Sequence, residues 1–350
     1  MSVLPPPPLE AAPLQAAPCP APTPPASAPA DPPRTLAALV AEADAAGMVL
    51  QTLAADAETL GLVLPIFGRV SATTTGPHAL LSERGGYGPV RLAGQRGLML
   101  RKRICLRLTS GRGEHLVMTP ADPARRRPAA LHLFTAAGQL CHRTEVSAPE
   151  DLLLLTGLCA QLAGGPLNAL TVPQDDPDTR PAPCPASIPL IRRAQSEWQG
   201  MDETAHLDEI LLDGGPARAN CLRHLGHGLA RPIQPARILP FLSHLAGLRI
   251  PFRRIVTRPG CLQSHSGATE LISAADNDLV LLRSKASLFA LDSSAIASGW
   301  LTRWDLDWGT QNVVELYDQD GQCLALLTGR WKPAKEADLW NRLTGMLAET

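Results

Sequence analysis

Several features that would assign a class quickly are missing from this chain. None of its eight cysteines, Cys19, Cys105, Cys141, Cys159, Cys184, Cys221, Cys261 and Cys323, falls in a C-x-x-C pair, which argues against structural zinc. Spread so thinly, they read as reduced thiols of a cytoplasmic protein. No apolar run approaches the length that spans a bilayer, and Met1 is not followed by a basic stretch and a hydrophobic core. The expectation is therefore a cytoplasmic protein that is not embedded in a membrane. Clustered positive charge is missing as well: 32 Lys and Arg stand against 33 Asp and Glu, a net charge of -1. Phosphate neutralisation needs a basic surface, so a nucleic-acid partner is excluded, and Arg125-Arg126-Arg127 reads as a solvated turn.

What is present is length, proline and a repeat. The 350 residues suffice for two domains with separate cores. Residues 1–33 are almost entirely proline, alanine and other small residues, too poor in apolar surface to offset ordering entropy, and are expected to form a disordered tail of polyproline character. From Arg34, Leu36, Leu39 and Val40 suggest a helix, and a second is expected from about Leu50 to Leu60. Short apolar segments punctuated by glycine, proline and serine follow: Val63 to Val70, Ala79 to Leu81, Val90 to Leu92, Gly97 to Leu100, Ile104 to Leu108 and His115 to Met118. They predict a meandering antiparallel sheet. ALHLFTAAGQL at 130–140 is a strand, a turn and a returning strand, and VVELYDQDGQC at 313–323 repeats it, with Gly321 for Gly138 and Tyr317 for Phe134. The helices that follow echo each other too, Leu343-Thr344-Gly345-Met346 matching Leu155-Thr156-Gly157-Leu158. The fold class is α+β, two tandem copies of an antiparallel sheet unit with flanking helices. The copies are expected at 34–162 and 197–350, joined by a proline- and acid-punctuated linker at 163–196. In the second copy Pro240 should kink a helix that runs from Pro235 to Gly247.

The candidate ligand site lies between Glu197 and Ile233. Asp202 can cap a helix whose Leu207, Ile210 and Leu211 form an apolar stripe, with Gly214-Gly215 ending it. His206 sits at the edge of that stripe. Half-shielding keeps an imidazole neutral and able to ligate a metal; the alternative is an ordinary boundary histidine. His224 and His227 are a second candidate pair, whose spacing suits a solvated helix face equally well.

Trp198, Met201, His206 and Leu211-Leu212, followed by Gly215, Ala217, Arg218, Leu222, Arg223, Gly226, Ala230, Arg231 and Pro232, resemble the bacterial hemin-utilisation family of HemS/ChuS/HmuS type. The match inserts one residue before His206 and has Asp208 and Glu209 where the family carries two phenylalanines. GPHALLSERGGYGPVRL shares His78, Glu83, Gly86, Tyr87 and Val90 with family text. RPGCLQSHSGATE keeps Gly260, Cys261, Gln263, His265 and Gly267, and the closing segment keeps Ile296, Ala297, Trp300, Arg303, Gly329, Lys332, Pro333 and Trp340. The resemblance covers most of Val63 to Leu347. It implies a duplicated cytoplasmic fold that binds one haem, here haem b (iron protoporphyrin IX). It also implies His206 as the axial ligand, Arg218 at a propionate, and Arg107 reaching over the distal side to orient water or dioxygen in a catalytic role; the alternative for Arg107 is a strand arginine with its stem across the sheet and its head in solvent. Arg303, Arg330 and Lys332 are further cofactor-binding positions, although Trp304 stands where some relatives have a lysine. The functions implied are a haem carrier or store, receiving haem from an inner-membrane importer and passing it to an acceptor, or a haem-degrading oxygenase-type enzyme. A third alternative is a diverged paralogue that has lost the ligand.

Overall fold

Strands buried along their whole length, such as Ala129–Phe134 and Cys323–Gly329, and strands that alternate, such as Ala79–Gly85, pair into two antiparallel sheets. The structure, a computed structural model, describes residues 35–93, 97–109, 115–164, 195–274, 278–307, 309–330 and 334–348. The expected tail and nearly all of the expected linker, like Lys332, Cys19 and Cys184, lie outside these residues. The described residues fall in one compact unit.

In the N-terminal half the strands are β1 (Gln51–Leu53), β2 (Val70–Thr75), β3 (Ala79–Gly85), β4 (Val90–Ala93), β5 (Gly97–Arg101), β6 (Cys105–Thr109), β7 (His115–Thr119), β8 (Ala129–Phe134) and β9 (Leu140–Val146). In the C-terminal half they are β10 (Ala230–Ile233), β11 (Phe252–Arg258), β12 (Cys261–Gly267), β13 (Leu271–Ala274), β14 (Leu279–Arg283), β15 (Ser287–Asp292), β16 (Ser298–Leu306), β17 (Gly309–Tyr317) and β18 (Cys323–Gly329). One sheet runs β1-β7-β8-β9-β2-β3-β15-β14-β13 and the other β10-β16-β17-β18-β11-β12-β6-β5-β4. The two orders are the same pattern written twice: six strands of one half are extended by a three-stranded meander from the other. The duplication reaches local detail, since the register slips between Leu133 and Phe134 in β8 and between Leu316 and Tyr317 in β17, the same place in each repeat.

Where the sheets cross, a buried polar chain ties the halves together. Thr74 donates to Gln263 at 3.0 Å, Gln263 to Glu83 at 3.0 Å, and His265 Nδ1 lies 2.6 Å from Glu83. Burial without such partners would cost each group its lost water.

The helices are α1 (Leu36–Ala46), α2 (Ala57–Val63), α3 (Pro149–Gln161), α4 (Glu203–Asp213), α5 (Pro216–Leu222), α6 (Ile238–Gly247) and α7 (Ala334–Gly345). Three local expectations are corrected. The expected helix at Leu50–Leu60 divides, because the Asp56 carboxylate accepts the Thr59 N–H at 2.8 Å and fixes the start of α2 there. The residues before it satisfy their backbone as β1, paired to β7. Val63 closes α2 and Pro65 lies in a 3-10 turn, so the strand expected from Val63 starts only at Val70. Pro240 does not kink its helix: it lies in the first turn of α6, where the missing N–H has no partner to lose.

Candidate functional site

Helix α4 follows its sequence signals closely. Asp202 caps α4 by accepting the Ala205 N–H at 2.7 Å, and Gly214 ends it at φ 85°. Leu207, Ile210 and Leu211 are buried with Leu222, Trp304, Val313 and Tyr317 in a core that clamps α4 and α5 onto β16 and β17. The turn into α5 passes so close to the sheet that a Cβ on Gly215 would lie 3.0 Å from the Cβ of Cys323. Its φ of 116° is a further reason for glycine.

His206 is 0% exposed, fully inside rather than at the edge of the stripe. Its ring stacks on Trp304 at 4.5 Å and 16°, and meets Trp198 edge-on at 4.6 Å. Burial, assisted by the adjacent Arg218 cation, lowers its pKa to about 3, so the imidazole is neutral. Arg218 Nη1 lies 3.3 Å from Nδ1. A guanidinium can only donate, so Nδ1 accepts and the ring proton sits on Nε2. Nε2 is buried and has no hydrogen-bond partner.

Arg218 is held on three sides. Its Nε and Nη2 form a bidentate pair with Glu315 at 2.8 and 2.7 Å, and Nη1 donates to Glu209 at 2.8 Å. The guanidinium carbon lies 4.2 Å from the Trp198 ring centre, a cation–π contact. Glu315 also accepts from Thr302 and Tyr317, each at 2.6 Å, and from Trp304 at 3.4 Å. Burial alone would push this carboxyl up; the Arg218 charge and these donors outweigh it and hold it down at about 2. The same partners raise Arg218 against the opposing effect of burial.

Arg107, on β6 from the other half of the chain, is 4% exposed and reaches α4: it pairs with Asp208 and donates to the Thr204 carbonyl at 3.4 Å. Glu203, in the first turn of α4, pairs with Arg253 on β11. Burial raises the carboxyls of Asp208 and Glu209, against the lowering effect of their arginines.

His206, Arg218 and Arg107 are thus brought together around α4. The other candidates are not part of this cluster. Arg303 is exposed and bonded to Asp305 and Thr310. It neighbours Trp304 on β16 and so points from the other face of the sheet, into a cleft of about 200 Å³ shared with His227, Arg231, Leu301 and Asn312. Arg330 is exposed just past β18. His224 and His227 are both exposed. Among the described residues no cluster of three or more His, Cys, Asp or Glu could hold a metal ion. A haem iron needs one axial ligand. The neutrality of His206 and its unsatisfied nitrogen fit that role; its tautomer and its enclosure between two indoles do not fit it as α4 now lies.

Glu315 was not singled out from sequence. The signal was there: one acid in the otherwise apolar run Val313-Val314-Glu315-Leu316-Tyr317, whose residues are all buried. Such an acid requires a buried cation.

Residues 215–347 match the family model described as the haemin-degrading HemS.ChuX domain. The chain is 23% identical over 281 residues to the hemin transport protein HemS of Yersinia enterocolitica, covering 79% of each. It is 24% identical over 292 residues to the hemin transport protein HmuS of Yersinia pestis, covering 82% of this chain and 83% of the relative. Among solved structures, holo-PhuS, a heme-binding protein from Pseudomonas aeruginosa, superposes with a TM-score of 0.75 at 21% identity, covering 91% of this chain and 94% of that one. ChuS, described as an E. coli heme oxygenase, gives 0.73 at 16%, covering 89% and 92%. At these identities the two structures establish the fold.

Proposed function

Because this chain belongs to the HemS/ChuS family of hemin-utilisation proteins, we propose that it binds haem b through His206 and serves as a cytoplasmic carrier or store in haem uptake. In this role it takes haem from an inner-membrane importer and releases it to an acceptor. One observation carries the reading: on α4 a neutral imidazole with an unsatisfied Nε2 is flanked by residues bonded to Arg218 and Arg107. A buried ring nitrogen without a partner costs about 1–3 kcal/mol, and an iron ligand is a use that offsets the cost. Arg218 would meet a propionate and Arg107 the distal side, whereas Arg303, on the face of β16 opposite Trp304, and Arg330, exposed just past β18, lie away from this cluster. Bound haem would supply a redox-active iron and the π-system that absorbs in the Soret region. No helix of the described residues is long and apolar enough to cross a membrane.

Hemin titration tests this. The wild type should give a shifted Soret band and His206→Ala should lose it. An unshifted band, or one indifferent to the substitution, overturns the reading. Bleaching of the complex under reductant and oxygen, absent under nitrogen and unaffected by catalase, would replace the carrier with a ring-opening enzyme.

A further inference from the structure

The residues around His206 are not arranged as an open slot. Two adjacent carboxylates on α4 cover two arginines that come from opposite directions. Asp208 pairs with Arg107, which rises from β6 in the N-terminal half. Glu209 takes the outer nitrogen of Arg218 on α5, whose other donors stay with Glu315. Both arginines are buried, whereas Asp208 and Glu209 are part-exposed, with side-chain exposures of 34% and 46%. The anions therefore close the cations off from solvent.

We infer that Glu209 is an internal stand-in for a ligand carboxylate at Arg218 and that Asp208 latches α4 onto Arg107, so that the two together set which ligands the site accepts. The inference rests on the haem-binding reading above and names residues that tune it. For Nε2 to ligate a metal, the ring proton must move to Nδ1, and that position faces a guanidinium which can only donate. His206 must therefore leave Arg218. Residues 206, 208 and 209 share one helix, so a displacement of α4 that separates His206 from Arg218 strains or breaks both carboxylate contacts. When the carboxylates leave, Arg218 keeps its bidentate Glu315 pair but loses the anion on its outer nitrogen, and Arg107 loses Asp208, which is costly for groups so deeply buried. A planar ligand that brings a carboxylate to the outer nitrogen of Arg218 replaces the bond that Glu209 gives up. A ligand of the same shape without one does not. The favoured class is a carboxylate-bearing metalloporphyrin, bound more weakly than the same scaffold would bind it with the arginines uncovered.

The test compares wild type, Asp208→Asn/Glu209→Gln and Glu203→Gln, each titrated with hemin and with hemin dimethyl ester, with far-UV circular dichroism and urea midpoints to establish folding. Glu203→Gln removes the Arg253 pair and a negative charge near Arg107, and loosens α4 while the Asp208–Arg107 and Glu209–Arg218 contacts stay in place. The double variant is expected to bind hemin at least about ten-fold more tightly than wild type, and Glu203→Gln within about two-fold of it. The ester should bind at least about ten-fold more weakly than hemin to wild type. Should the double variant not fold, the single variants Asp208→Asn and Glu209→Gln are each expected to show part of the gain. Equal hemin affinity in wild type and double variant, an equal gain in Glu203→Gln, or no preference for hemin over its ester overturns the inference. If no protein, the double variant included, gives a Soret shift that depends on His206, the haem reading itself has failed.

Discussion

The two halves place different chemistry at one position of the same scaffold. Glu315 of β17 corresponds to His132 of β8, Thr302 to Thr119 and Tyr317 to Phe134, by the strand pairing and the shared register slip. In the C-terminal half Thr302 donates to a carboxylate that is locked to Arg218. In the N-terminal half Thr119 lies 3.1 Å from His132 Nε2, and His132 stacks on Phe134 at 6.1 Å and 12°. The helix above differs to match: α1 lays Leu36 and Leu39 over Phe134, where α5 presents Arg218. His132 Nδ1 also lacks a partner. An orphaned imidazole alone therefore does not mark a site; what sets the C-terminal half apart is the buried charge network that surrounds one.

The sharpest way to break this comparison is to remove the charge. Glu315→Ala strands Arg218 in the core, and loss of one partner of a buried pair costs about 3–5 kcal/mol. His132→Leu at the matching place removes an unsatisfied nitrogen and keeps an apolar neighbour for Phe134, so its cost should stay within about 1 kcal/mol. Urea denaturation of both variants measures the difference. Similar losses would mean that the network is no more structural than its apolar counterpart.

Acid sharpens the contrast further. Burial lowers His132 and His142 to about 3 each, so in the folded protein they stay neutral while the unfolded chain titrates near 6.5. Below pH 6.5 the unfolded state binds protons that the folded state refuses. Stability therefore falls with pH until the folded pKa is reached, by on the order of 2 kcal/mol per histidine between pH 6.5 and 5. His206, also at about 3, adds to this window. Glu315, at about 2 against an ordinary 4.5, loses its share only as pH drops through that lower range. Urea midpoints at pH 7 and pH 5 should separate, and His132→Leu should narrow the gap by one histidine's share. An unchanged gap would contradict the burial account.

Much of this architecture was legible in the chain. The ALHLFTAAGQL and VVELYDQDGQC echo marked the duplicated hairpin, and Asp202, the Leu207-Ile210-Leu211 stripe and Gly214 marked α4 with its limits. Strand exchange between the sheets was not legible, because the pairing of β6 with β12 is a long-range choice that leaves no local period. The site was half legible. His206 and Arg218 stood out, but their partners are Glu315, distant in sequence, and Trp304, read at first only as a lost lysine. Asp208 and Glu209 were visible as departures from the family text; that Asp208 meets Arg107 depends on a contact across the two halves, and that Glu209 meets Arg218 depends on the tight turn from α4 into α5.

The smallest effect tests whether the halves remain equivalent where their chemistry agrees. Gly138 and Gly321 turn the matching hairpins at φ 72° and 77°, a left-handed conformation that costs a side chain about 1 kcal/mol. Gly138→Ala and Gly321→Ala should therefore destabilise alike to a first approximation. At Gly321 the added Cβ would lie 3.3 Å from the Cα of Pro216, the first residue of α5. Backbone cannot swing aside as a side-chain tip can, so the alanine at 321 should push α5 outward and take Arg218 with it. The urea midpoint should then fall slightly further for Gly321→Ala than for Gly138→Ala, and hemin affinity should change only for Gly321→Ala. Equal effects on both measurements would mean that α5 yields without disturbing Arg218, and that the tight turn serves the hairpin alone.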